Sequence, residues 1–118
     1  RAAIAKGADD AVLFNQYMRV TGSTAGNIFA LQGGTLITPA TEDGTLPGIT
    51  RARILALSQI EDCAITTGEL ERESLAQASA LIMCNAIMGV VPASLYPLEM
   101  PQSEELAKKI RAALTARI

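Results

Sequence analysis

The sequence predicts an α/β (α+β) fold in which one mixed sheet is flanked by helices. Short apolar runs of strand length recur along the 118 residues, and stretches of helical apolar spacing lie between them. The two kinds of segment intermix without strict βαβ alternation, which argues against a purely parallel, doubly wound sheet. The length suits one domain, residues 1–118, with no internal repeat and no second domain.

Taken in order, residues 1–6 are Ala-rich and read as a helical piece closed by Gly7, with Lys6 near the negative end of its dipole. Residues 11–15 read as a short buried strand, and residues 19–26, rich in Gly, Ser and Thr, as a loop. Residues 27–31 and 35–38 form a hairpin around Gly33 and Gly34, the residues expected to supply positive φ. A loop over 39–47 carries Glu42 and Asp43. Residues 49–61 follow with apolar positions at helical spacing, from Ile49 to Ile60. Residues 64–67 read as a strand, 71–79 as a helix with Glu71 and Glu73 in its first turn, and 81–84 and 90–91 as buried strand. The last helix, 103–118, is amphipathic, with Leu106, Ile110, Ala113 and Leu114 on one face. Glu104–Lys108 and Glu105–Lys109 are favourably oriented i,i+4 pairs.

Composition excludes several functions. Hydrophobic residues make up 49% and charged residues 19%, a globular balance. A net charge of −2 and a pI near 5.0 do not suit a nucleic-acid surface. No apolar run reaches the roughly 18–20 residues a membrane span needs. Two cysteines, Cys63 and Cys84, and no histidine leave no basis for a metal site, a disulfide framework or a Cys–His pair. Cys84, within an apolar run, reads as core. A cytoplasmic setting is expected. Nothing at the start resembles a signal peptide, and a helix opening without a cap at Arg1 suggests a truncated chain. Chemistry must then come from Lys, Arg, Thr, Asn, carboxylates, backbone amides or a borrowed cofactor.

Two short turns suit an anion. Pro47 and Gly48 turn the chain just before a helix, whose first amides have no internal partners and lie at the positive end of the macrodipole. A phosphate suits that position: Gly48 lets backbone approach closely, and the Thr50 hydroxyl adds a donor. The plainer alternative is that Thr50 only caps the helix. The second turn, Cys84-Asn85-Ala86, follows a strand, and small residues there leave amides free to face an anion, with Asn85 able to donate through its side chain. The two turns reinforce each other only if they converge in space.

Four blocks appear in order: Gly26-Asn-Ile-Phe29, Gly34-Thr-Leu-Ile-Thr-Pro39, Gly44-Thr-Leu-Pro-Gly-Ile-Thr-Arg51 and Cys84-Asn-Ala-Ile-Met-Gly-Val-Val-Pro92. Their order and spacing resemble the class IV (fold type IV) pyridoxal-phosphate aminotransferases and lyases over essentially the whole chain, and the last block most resembles 4-amino-4-deoxychorismate lyase. The resemblance implies the carboxy-terminal, cofactor-binding domain of such an enzyme, with pyridoxal 5′-phosphate as cofactor. Ile49 and Thr50 would bind its phosphate beside Gly48, Asn85 and Ala86 would give a second contact, and Leu46 would pack on the ring. Asn27 would support the site. Ala86 stands where aminotransferases often carry threonine.

The Schiff-base lysine of the family lies well upstream of the Asn-Ile-Phe block. Lys6 is too close to that block, and Lys108 and Lys109 lie on the last helix, so the lysine is expected before Arg1, with the amino-terminal domain. No catalytic residue is therefore assigned within this chain, which alone is expected to be inactive. Gly22 stands five positions before Asn27, where the family carries a glutamate for the pyridine nitrogen, and none of its neighbours from 20 to 25 is acidic. The expected function is an aminodeoxychorismate-type lyase forming 4-aminobenzoate and pyruvate for folate synthesis. Alternatives are an aminotransferase of branched-chain or D-amino acids, and a catalytically retired binding domain, which Gly22 motivates. A small amino-acid-like substrate and a homodimeric parent are implied, with neither nucleic acid nor membrane as partner.

Overall fold

The computed structural model describes residues 2–3, 12–23, 26–41, 44, 48–95 and 98–116. In chain order its elements are β1 (Ala2–Ala3), β2 (Val12–Phe14), β3 (Val20–Ser23), β4 (Asn27–Gln32), β5 (Thr35–Pro39), α1 (Ile49–Leu57), β6 (Gln59–Ile60), β7 (Cys63–Gly68), α2 (Arg72–Gln77), β8 (Ala80–Asn85), β9 (Gly89–Ala93) and α3 (Gln102–Thr115). Two sheets result: β1-β2-β3, and a six-stranded sheet ordered β6-β7-β5-β4-β8-β9. In the larger sheet β5 and β7 are parallel and every other pairing is antiparallel, so the sheet is mixed.

The central strands β4 and β8 are apolar on both faces because both are covered. Successive side chains of a strand point to opposite sides. Phe29 of β4, with Ile82 and Cys84 of β8, enters a cluster containing Ile54 of α1 and Leu106, Ala107, Ile110 and Leu114 of α3. Ile28 and Ala30 of β4, with Leu81 of β8, enter a second cluster with Phe14, Val20, Leu70 and Leu75. Helices α1 and α3 thus cover one face, and the small sheet with α2 covers the other. Phe29, Ile54, Ile82 and Ile110 are fully buried, each contributing about 1.5–3 kcal/mol by leaving water. Ser103, also buried, accepts a 2.8 Å hydrogen bond from the Leu81 amide and ties the start of α3 to β8.

Four local expectations are corrected. Ala2–Ala3 is a strand paired antiparallel with β2, not part of a helix: Ala has the highest helix propensity, but over so few residues that preference is small and pairing with a sheet edge overrides it. Lys6 and Gly7 lie outside the described residues. Residues 20–23, read as loop, form β3, where Gly22 pairs with Leu13 and a register shift falls between Leu13 and Phe14. The helix read to residue 61 ends at Leu57, because Ser58 at φ 59° and Glu61 at φ 52° turn left-handed and send β6 back along β7. In the β4–β5 hairpin Gly33 has positive φ (59°), and Gly34 does not.

Glu71 is the N-cap of α2, in a capping box with Ser74. On α3, Lys109 pairs with Glu61 at 3.0 Å, across to the β6–β7 turn. Hydrogen bonding to that carboxylate raises the Lys109 pKa above its usual value, so it stays charged at neutral pH. Among the described residues no helix is long and apolar enough to cross a membrane.

Candidate functional site at the start of α1

Helix α1 opens on Gly48, which takes the N-cap position in extended conformation and gives no side-chain cap. The first intrahelical bond runs from the Ala52 amide to the Gly48 carbonyl at 3.0 Å. The amides of Ile49, Thr50 and Arg51 therefore stand ahead of the helical ladder, at the positive end of the macrodipole. Thr50 is the second helical residue and does not cap. Its hydroxyl, expected from the sequence as a further anion donor beside the amides, instead donates to the Asn85 carbonyl at 3.2 Å.

That bond joins the two turns. Asn85 ends β8, and its Oδ1 accepts the amides of Ile87 (2.9 Å) and Met88 (2.6 Å), fixing residues 85–88 as a tight Asx turn. The side chain expected to donate outward thus uses its oxygen to organise its own loop. The exposed Ala86 sits within this turn.

β4 closes the third side. Asn27, buried and paired with Cys84, lies against Gly48: a Cβ added at Gly48 falls 2.5 Å from Asn27 Oδ1. A Cβ added at Gly26 would run into the Cys84 carbonyl oxygen. Just before Gly26, Ser23 accepts the Gly26 amide at 3.2 Å and holds the bend between β3 and β4. Glycine at 26 lets the chain approach the β8 backbone closely, and glycine at 48 leaves room for the Asn27 side chain. The structure thus brings Asn27, Gly48, Ile49, Thr50, Asn85 and Ala86 into one cup; Leu46 lies outside the described residues.

Arg51 was given no role by the sequence, although it directly follows the Gly-Ile-Thr turn. Only 7% exposed, it donates from one terminal nitrogen to the Pro39 carbonyl at 3.0 Å, and its Nε has no partner among the described residues. Its positive charge reaches Cys84. Burial pushes that thiol up to about 11, and the guanidinium partly opposes the rise. Cys84 is 1% exposed and serves as core, as its apolar run implied.

The profile of the amino-transferase class IV family matches residues 1–96. The chain belongs to that family. Class IV enzymes are pyridoxal-phosphate dependent, and the mixed sheet flanked by helices is their fold type IV architecture. The chain is 27% identical over 117 residues to a probable branched-chain-amino-acid aminotransferase from Synechocystis, covering 97% of this chain and 38% of that protein. An aminodeoxychorismate lyase from Vibrio harveyi is 28% identical over 85 residues, 72% of this chain and 31% of the lyase. A solved structure from Legionella pneumophila, provisionally assigned as a 4-amino-4-deoxychorismate lyase, superposes with a TM-score of 0.83 at 32% identity, covering 93% of this chain and 41% of that one. The chain spans less than half the length of each of these relatives.

Within this class IV chain, Gly22 is more than a missing carboxylate. Its φ is +152°, and an added Cβ would lie 3.0 Å from the Gly26 carbonyl oxygen. A glutamate here would strain the same bend that carries Asn27.

Proposed function

We propose that this cup holds the phosphate of pyridoxal 5′-phosphate and that the parent protein is a lyase of the aminodeoxychorismate type, releasing pyruvate and leaving 4-aminobenzoate. The observation that carries the reading is the Thr50 hydroxyl bonded to the Asn85 carbonyl, which sets two donor turns beside each other at an uncapped helix start. The residues fit the group: the amides of Ile49 and Thr50 face outward, the Asn85–Met88 turn adds the Ala86 amide, Gly48 permits close approach, and a buried cation, Arg51, lies beneath. Asn27 holds Gly48 in place from β4, and Leu46 is assigned to the cofactor ring. Bound there, pyridoxal 5′-phosphate supplies an electron-withdrawing ring that stabilises negative charge at the substrate Cα.

This chain's part is binding and orientation. In this reading residues 1–118 are the cofactor-binding domain, and the lysine that moves protons comes from sequence ahead of Arg1. Among the described residues Lys109 is engaged with Glu61. A homodimeric parent belongs to the same proposal. Lyase over aminotransferase is supported by Ala86, which brings an amide but no hydroxyl to the second turn, and by the 32% identical Legionella chain. The aminotransferase reading, on branched-chain or D-amino acids, is supported by the Synechocystis relative, which matches nearly the whole chain.

Full-length protein incubated with 4-amino-4-deoxychorismate should release 4-aminobenzoate, detected by its fluorescence after chromatography. A parallel incubation with amino acid and 2-oxoglutarate should form little glutamate. Glutamate without 4-aminobenzoate would select the aminotransferase. Neither product, together with no visible cofactor absorbance, would point to the retired domain that Gly22 suggests.

A further inference from the structure

Among the described residues, Arg51 is the one buried charge beside the cup to which binding assigns no direct contact. It is the third residue of α1, its guanidinium is held to the end of β5 by Pro39, and its field reaches Cys84, the residue before Asn85 and the pairing partner of Asn27. The group therefore lies at the root of all three cup walls. Among the described residues no carboxylate pairs with it, and its Nε has no hydrogen-bond partner. A buried, uncompensated cation is costly, because it has left water without meeting an opposite charge. An anion at the α1 start would relieve that cost, whereas an uncharged ligand would not.

We propose that Arg51 is the buried counter-charge of the cup: a positioning residue that braces β5 against α1 and selects a phosphate ester over the same ring without phosphate. This rests on the reading that the cup holds a phosphate. It acts through the field at the helix start rather than by touching the ring. Its signature is a change in the preference between two ligands, which a purely structural arginine would not produce.

The test uses full-length protein titrated with pyridoxal 5′-phosphate and, separately, with pyridoxal, following absorbance or calorimetry. Wild type should prefer the phosphate ester by about a hundredfold or more. Arg51→Met should cut that preference by about tenfold or more while leaving pyridoxal affinity within about twofold. Arg51→Lys, which keeps the charge and loses the planar fork, should restore most of the preference. An Arg51→Met variant with unchanged preference would overturn the proposal. So would a folded Arg51→Lys that loses the preference as fully as Met. If the Met variant does not fold by circular dichroism, the Lys variant decides: preference kept supports the counter-charge, and preference lost overturns it. A wild type with no preference removes the phosphate reading itself, and this proposal with it. A wild type with the preference and a Met variant that keeps it removes the counter-charge alone.

Discussion

Gly26→Ala should be among the most damaging single-methyl additions to this protein. Gly26 lies just ahead of β4, where Asn27 pairs with Cys84, and the added Cβ falls well under 3.0 Å from the Cys84 carbonyl oxygen and 3.2 Å from Asn85 Cβ. The obstacle is backbone in a central strand, so no rotamer change relieves it. Strands β4 and β8 must part by roughly an ångström at that end, an overpacking cost of about 1–3 kcal/mol. Parting them also weakens one or two ladder bonds, each worth about 0.5–1.5 kcal/mol. The sum is about 3 kcal/mol, to be read by equilibrium urea unfolding. With a slope of about 1.5 kcal/mol/M, the midpoint should fall by about 2 M at unchanged slope. Two controls grade the argument. Gly48→Ala meets the Asn27 side chain, which can give, and Gly34→Ala meets nothing within 4 Å. The order of damage should be 26, then 48, then 34, with the last near zero. A Gly26→Ala midpoint within about 0.3 M of wild type would refute the close-approach argument.

Thr50→Val removes the hydroxyl that reaches Asn85 and should cost about 1 kcal/mol in the same assay. Cofactor-phosphate affinity, measured by titration, should change by less than about threefold, because the proposed contact is made by the amide. Ser103→Ala strands the buried Leu81 amide and should cost about 1–3 kcal/mol; a variant as stable as wild type would show that another acceptor replaces the hydroxyl. Cys84 gives a pH signature. Its folded pKa, about 11, lies above the ordinary thiol value of 9.0, so the stability linked to the neutral thiol is intact below pH 9 and is lost as pH rises through 11. At 1.36 kcal/mol per unit, wild type should lose about 2–3 kcal/mol across that window relative to Cys84→Ala. Parallel curves for the two proteins would show that the thiol does not titrate with folding.

Most strands were legible because their signals are local. The β4–β5 hairpin is announced by its glycine pair, and β8 by a buried apolar run after a short helix. The misread elements depend on partners the local sequence does not show. Ala2–Ala3 pairs only because β2 offers an edge, and residues 20–23 look like loop until β2 is beside them. The helix end at Leu57 turns on a left-handed serine, a conformation serine's composition does not announce. At the site, the helix start just after Gly48 was readable from helix physics. The direction of the Thr50 hydroxyl was not, because its acceptor lies 35 residues away. Arg51 went unassigned for a related reason: an arginine in a surface-like helical start looks solvated until Pro39 and β8 enclose it.

The union of three distant backbone segments also has a kinetic consequence. Ser23 reaches Met83 across 60 residues, and Thr50 reaches Asn85 across 35. Those contacts require closure of large loops, whose entropy must be met before the contacts can repay it. The cup therefore comes into being only when β4 and β8 are already in register. On the proposed reading, a phosphate ester would act as a latch on the finished fold, slowing its opening by occupying the native state alone, rather than as a template around which the chain assembles.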